Sequence, residues 1–423
     1  SFGVPQLIAF LFLTLSAILL FIYTLLDFSL LSTLFWYLIF GSQFVLFLHY
    51  HRYDFQEGDI LKVLNFIKNL LLLQIPILFL QFIIHQKFAP GDEWLGSLND
   101  ANKTGFFLFY LLLFYVLPPF ILKGHRLLLV NPKRIFLLFI IAVLVLLCDA
   151  KILTAITILS STLYVFIIVL SQLVSAYKQT SNNKIIITFF LIIAGSFIAL
   201  SVVNLYLTRA SKGQITNVKD IISFYASSNI RKESTKTIDN AKSVLYGRVY
   251  YQWYEEDKLT WFVGAGPGRF DSRASNILAY DVLYKQEGQF RLPSSIPPYS
   301  SFWVKKYMSD LWTKEISENS RWRSANLSFP FAGLIALKAE TGIIGLILFM
   351  LFIISCVYFL LKKQAQVNSV PLQSWMIVIN IFWLSLPLQM LIDNIQEQPQ
   401  IMIPMLLVTT IILKLKPNNA QTQ

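Results

Sequence analysis

Six arginines fall inside one polar interval, residues 246–345: Arg248, Arg269, Arg273, Arg291, Arg321 and Arg323. A guanidinium is a planar fork of donors, so several on one stretch suit a ligand with paired anionic oxygens, such as a diphosphate. Anionic lipid headgroups would suit them equally. The same interval holds the turn Gly264-Ala265-Gly266-Pro267-Gly268. Its glycines, Gly266 and Gly268 among them, could turn backbone N–H groups toward an anion, although a tight turn alone also explains them. No Lys-Ser/Thr follows the glycines, which excludes a nucleotide phosphate loop. Asp271, Asp281 and Glu340 are the carboxylates placed to act as a general base. Glu340 stands at the predicted start of a hydrophobic helix, where the helix dipole alone would favour a carboxylate.

Histidine and cysteine add nothing to this set. The histidines are His49, His51, His85 and His125, all outside the interval, and Cys148 and Cys356 lie in apolar runs. Neither a disulfide framework nor a metal site is expected, and no cofactor.

Apolar runs must position these groups. The chain has 423 residues, 56% hydrophobic and 14% charged, against about 25% charged in a soluble domain. The pattern predicts an all-α, polytopic membrane protein of about ten spans. They fall at 6–26, 30–48, 60–84, 105–122, 135–149, 152–174, 185–207, 343–361, 375–392 and 400–414. Residues 6–26 have no basic leader or small-residue cleavage site and read as a membrane helix. Three parts follow: seven spans in 1–207, a loop domain in 208–342, and three spans in 343–423.

Short connectors rich in lysine and arginine (Arg52 and Lys62, Lys133 and Arg134, Lys362 and Lys363, Lys414 and Lys416) alternate with acidic ones (Asp27, Asp92 and Glu93, Asp393 and Glu397). The positive-inside rule places the first set in the cytoplasm and the 208–342 loop outside. The net charge of +12 therefore reflects topology and implies no nucleic-acid partner. Residues 241–253 read as a helix. Residues 301–316 set Trp303, Tyr307, Leu311 and Trp312 on one face, as in a helix lying on a membrane surface. The loop's Tyr246, Tyr250, Tyr251, Trp253, Tyr254 and Trp261 fit an interfacial aromatic belt, or sugar stacking.

The order Gly-x-Gly-Pro-Gly-x-Phe (264–270), a polar stretch, then Ala339-Glu340-Thr341-Gly342-Ile343-Ile344-Gly345-Leu346 opening a membrane helix resembles the O-antigen ligase and O-antigen polymerase superfamily. Leu147-Cys148-Asp149-Ala150-Lys151 occupies the place of that family's Ser-Arg pair. The likeness covers 135–415 in architecture and a few short motifs in sequence. It implies a glycosyltransferase in a bacterial inner (cytoplasmic) membrane, with the large loop periplasmic. Glycan would pass from an undecaprenyl-diphosphate carrier to an acceptor glycan or glycolipid hydroxyl, as in lipopolysaccharide synthesis, without a metal. Ten spans, fewer than the family usually has, would fit a shortened N-terminal part. Arg269, Arg273 and Lys151 would hold the diphosphate. Arg321 or Arg323 would help hold donor or acceptor, with Arg248, Arg291, Gly266 and Gly268 near by. Glu340 or Asp271 would serve as base. The sequence departs from the family twice: Phe331-Ala332 stand where ligases carry His-Asn, and Lys151 replaces an arginine. A non-catalytic membrane subunit built on the same fold, or a transporter of lipid-linked oligosaccharide, are the alternative readings.

Overall fold

The computed structural model describes residues 3–27, 30–53, 55–85, 95–98, 101–121, 132–148, 151–176, 201, 241–279, 298–311, 332–367 and 369–415. No strand occurs among them. The longer described helices before the polar interval are α1 (Val4–Asp27), α2 (Leu30–Tyr50, π-helical over Tyr37–Gly41), α3 (Glu57–His85), α4 (Ala101–Val116, followed by a short turn of helix at Pro118–Ile121), α5 (Pro132–Leu147) and α6 (Lys151–Ala176). Four shorter helices follow in the polar interval: α7 (241–256, π-helical over Arg248–Gln252), α8 (Lys258–Val263), α9 (Arg273–Leu278) and α10 (Phe302–Tyr307). Three long helices close the chain: α11 (Gly333–Gln364), α12 (Val370–Met390) and α13 (Pro399–Leu413).

Among the described residues five helices, α1, α2, α3, α11 and α12, are long and apolar enough to cross a membrane. Their outer faces support that reading. Leu7, Phe10, Ile18 and Phe21 of α1, Phe66, Leu73 and Ile83 of α3, and Ile347, Leu351 and Ile354 of α11 are all exposed. Water would penalise apolar faces of that size, whereas lipid does not. The protein is a helical membrane protein. Each predicted span but one coincides with a helix. The exception, 185–207, lies outside the described residues apart from Ser201.

The chain divides into two compact units. The first comprises 1–49, 204–355 and 386–403. Its apolar centre is a ring ladder in which Phe12 of α1 meets Phe44 of α2 (5.2 Å between centroids), and Phe44 and Phe47 meet Phe352 of α11 (5.4 and 5.3 Å). Such pairs add about 0.5–1.5 kcal/mol each beyond the area they bury. A second core gathers around Trp253 of α7, which contacts Phe270, Trp303 and Tyr307 at 4.9–5.3 Å.

The second unit comprises 50–203, 356–385 and 404–423. Polar pairs tie its helices: Tyr110 with Ser385 (2.8 Å), Tyr164 with Gln364 (2.7 Å) and Trp383 with Thr409 (2.9 Å). Hydrogen bonds between side chains are the expected adhesive where apolar burial gives helices no preference for one another over lipid.

Two expectations change. The face of 301–316 that carries Trp303, Tyr307 and Leu311 turns inward: Tyr307 and Leu311 are buried and Trp303 packs on Trp253. Its exposed side carries Phe302, Lys305 and Lys306 instead. An amphipathic pattern specifies that one face is buried, and here protein aromatics bury it better than a bilayer surface. Trp312 lies outside the described residues. The last long-loop helix also begins earlier than expected, at Gly333, ahead of Glu340.

Candidate functional site

The site is built from a break in α11. Gly342 sits at φ 70°, ψ −176°, which is not helical. In a continuous helix the carbonyls of Ala339 and Glu340 would accept hydrogen bonds from residues 343 and 344. The break frees them, and the glycine turn takes their place. Ala265 N–H donates to Ala339 O (2.7 Å) and Gly266 N–H donates to Glu340 O (3.1 Å). The approach is so close that a Cβ on Gly264 (φ 90°) would lie 2.4 Å from Glu340 O. Tyr23, near the end of α1, donates its hydroxyl to Gly264 O (2.6 Å).

Glu340 completes the lock. Its carboxylate is buried and accepts N–H bonds from Gly268 (2.8 Å), Phe270 (2.9 Å) and Ser272 (3.3 Å). The backbone nest anticipated for a ligand anion is thus filled by the chain's own carboxylate. Gly266 and Gly268 direct their N–H groups to Glu340, not outward. Glu340 is also not the first residue of a helix, so dipole stabilisation does not account for it. The turn's N–H groups do.

Next to this lock lies a buried polar cluster. Asp271 is fully buried; its Oδ2 accepts from Ala332 N–H (3.0 Å), and its Oδ1 has no hydrogen-bond partner among the described residues. Asn394 donates from its side chain to Asp271 O (2.9 Å). Glu397, also buried, accepts from Arg273 N–H and from the Gln396 amide (3.3 Å). Lys242, buried on α7, donates from Nζ to Ile392 O. Burial holds the Asp271 carboxyl well above its ordinary 3.8, an effect that the Ala332 bond opposes and the charge of Glu397 reinforces. Burial pushes Glu397 up from 4.5 to about 8, helped by the charge of Glu340. Burial pulls Lys242 down from 10.5 to about 8, against Asp393 and Asp271. Desolvation disfavours the charged form in each case. No group of three or more metal-ligating side chains is placed to hold an ion among the described residues.

The Glu397 shift fixes a sign. A raised folded-state value means stability that is complete below about pH 4.5 and is lost as pH rises through about 8. Relative to Glu397→Gln, the wild-type protein is expected to lose about 1.4 kcal/mol per pH unit across that window. Melting curves from pH 5 to pH 8 test this. Parallel pH profiles for the two proteins would show that Glu397 does not bind an extra proton in the fold.

The described arginines differ in what holds them. Arg248 forms a two-pronged pair with Asp310 (2.7 Å each) and donates to Tyr307 O (2.7 Å), tying α7 to the segment after α10. Arg269 is buried, donates to Tyr23 O (2.7 Å) and lies 5.2 Å over the Tyr23 ring. Arg273 is half-buried at the start of α9; its Nε has no hydrogen-bond partner among the described residues, and its charge lies close enough to Glu397 to oppose the rise of that carboxyl's pKa. Lys151 opens α6 in the other unit, with its side chain outside the described residues. Arg291, Arg321, Arg323 and Asp281 also lie outside them.

The sequence did not point to Tyr23, Lys242, Asn394, Glu397 or Lys338. Lys338 of α11 is fully buried, donates to Val249 O (2.6 Å) and lies 4.9 Å from the Trp261 ring and 5.3 Å from that of Trp253. Several of the loop aromatics therefore form a cage around an internal amine. One signal was available for Glu397. The run 393–398, Asp-Asn-Ile-Gln-Glu-Gln, is unusually rich in amides for a short connector, and Asn394, Gln396, Glu397 and Gln398 are all buried.

No protein-family model, curated protein or solved structure matches the chain.

Proposed function

We propose that this protein is a membrane glycosyltransferase of the O-antigen polymerase/ligase type, with about ten spans and residues 208–342 on the outer face of a bacterial inner membrane. It would move a glycan from an undecaprenyl-diphosphate carrier to a hydroxyl of an acceptor glycan or glycolipid. One observation carries the reading: Arg273, which opens α9 just after the turn locked to the kinked helix, keeps a buried guanidinium Nε with no hydrogen-bond partner among the described residues. In the reaction the acceptor oxygen attacks the anomeric carbon, the bond from that carbon to the diphosphate oxygen breaks, and the acceptor proton passes to a base. Arg273 would pair with the charge growing on the leaving diphosphate. Asp271 Oδ1 is the carboxylate oxygen left free to take the proton. Glu340 and Arg269 would hold the turn that carries both.

Arg273→Ala is expected to lower transfer by about 10²–10³-fold, as removal of one preorganised donor does. Arg273→Lys would recover part of the rate, because charge returns without the fork. Transfer at the wild-type rate in Arg273→Ala would remove Arg273 from the mechanism.

A second reading, a non-catalytic envelope subunit on the same fold, is favoured by how much of the loop's charge is internal: Arg248, Arg269 and Glu340 are all held by protein groups. Wild-type protein that binds the lipid diphosphate yet transfers nothing would select it.

A further inference from the structure

Among the described aromatics of the polar interval, Trp253, Phe270 and Tyr307 are buried, whereas Tyr251, Tyr254, Phe262 and Phe302 are exposed; three of these four lie along α7 and α8. Tyr251 is 60% exposed, Tyr254 46%, Leu259 72% and Phe262 46%. Large apolar side chains in that density are not left to water without a partner. Three features identify the partner. First, the patch is continuous with a membrane-facing surface. A Cβ at Gly342 would lie 2.0 Å from Phe262 O, so the end of α8 abuts the point where the long apolar half of α11 begins. The first turns beyond that point expose Ile344 and Ile347. Second, Tyr23 on α1, itself a candidate span, anchors the residue that follows α8 through its bond to Gly264 O. The end of α8 is therefore level with the ends of two spanning helices. Third, the charges beside the patch include amines laid over rings: Lys258 Nζ is 5.7 Å from the Tyr254 centroid, and Lys306 Nζ is 5.8 Å from that of exposed Phe302. Long amines beside exposed aromatics are what the boundary between headgroups and acyl chains selects. Glu256 beside them is paired with Lys306 and accepts a hydrogen bond from the Tyr307 hydroxyl, and Glu255 next to it is exposed.

We propose that α7 and α8 lie against the surface of the membrane that α11 crosses, with Leu259 and Phe262 at the acyl boundary and Lys258 among the headgroup phosphates. The bilayer is the occupant of this face, not a second protein. The proposal does not rest on the transferase reading, although it would set the 264–273 turn at the depth where a lipid-borne diphosphate lies.

The test is collision-accessibility EPR on the full-length protein in phosphatidylethanolamine/phosphatidylglycerol nanodiscs. Nitroxides are placed separately at Tyr251→Cys, Leu259→Cys and Phe262→Cys, with Arg52→Cys, exposed in the connector between α2 and α3, as the water reference. Both native cysteines are buried, which directs the label to the introduced thiol. All three tested positions are exposed, so the substitutions spare the core, and agreement at 259 and 262 guards against one misfolded variant. Collisions with oxygen should exceed those with a water-soluble nickel chelate several-fold at 259 and 262, and less at 251, while Arg52→Cys shows the reverse. Nickel access at 259 and 262 equal to the Arg52→Cys reference would overturn the proposal in favour of water. Low access to both reagents would overturn it in favour of a covering protein or second copy.

Discussion

Replacing Glu340 by Ala should destabilise the first unit by several kcal/mol and release the turn from α11. Three N–H groups, of Gly268, Phe270 and Ser272, point at the Glu340 carboxylate in a buried setting. Each buried donor left without an acceptor costs about 1–3 kcal/mol, and alanine offers none. The two carbonyl bonds from Ala265 and Gly266 do not compensate, because they hold only one edge of the turn. Glu340→Gln is expected to be intermediate: one amide oxygen still accepts, while the NH₂ faces a donor. The measurement is thermal unfolding in detergent together with proteolysis of the 264–279 segment. A Glu340→Ala protein that melts and resists protease like wild type would mean that the carboxylate does not hold the turn, and would return it to the list of base candidates.

The second large effect is expected at Gly342. Its angles, φ 70° and ψ −176°, belong to a region that is nearly exclusive to glycine. A Cβ there would lie 2.0 Å from Phe262 O and 2.4 Å from Phe262 C, both backbone atoms that cannot rotate away. Gly342→Ala must therefore either straighten α11 or expel α8. A straight helix would reclaim the carbonyls of Ala339 and Glu340 and strip the turn of its acceptors. The expected cost exceeds about 3 kcal/mol, the upper end for a single strained backbone residue, since a steric clash adds to it. Gly58→Ala is the matched control, because nothing lies within 4 Å of its added Cβ, and helix propensity there favours alanine by up to about 1 kcal/mol. Loss of folded yield in Gly342→Ala with an unchanged or raised melting temperature in Gly58→Ala is the predicted pair of results. Equal melting temperatures for Gly342→Ala and wild type would mean that the kink is not required.

These two residues also mark the boundary of what the sequence discloses. The apolar runs located the helices, because roughly 20 consecutive apolar residues have few other uses. The turn at 264–268 was legible from its three glycines. The partner of the turn was not. Ala339-Glu340-Thr341-Gly342 reads as the entrance to a helix that begins at 343, and charges such as Lys338 and Glu340 are normally taken for surface. Both are buried here, one in a cage of rings and one in a nest of N–H groups. Local sequence cannot show a charge whose compensating groups are about 70–90 residues away, as Glu340 is from Gly268 and Lys338 from Val249. The arginines repeat the lesson. Arg248, Arg269 and Arg273 are the same residue type within one interval, yet Asp310 and Tyr23 occupy the first two. Only the folded chain separates them from Arg273.

The aromatics divide in the same way. A belt and a sugar platform were the two readings from composition. Trp253 and Trp261 instead surround Lys338, and Trp303 packs on Trp253. Tyr251 and Tyr254 remain exposed. One composition thus serves two environments, and exposure assigns each ring to its own.

The most direct measurement of the central claim is release of undecaprenyl diphosphate by the purified wild-type protein in nanodiscs, supplied with an undecaprenyl-diphosphate-linked glycan and an acceptor glycan. Free carrier is expected to appear in step with glycan extended on the acceptor, and both signals to fall together in Arg273→Ala. A folded protein that binds the lipid-linked glycan but releases no carrier with any acceptor would contradict that claim.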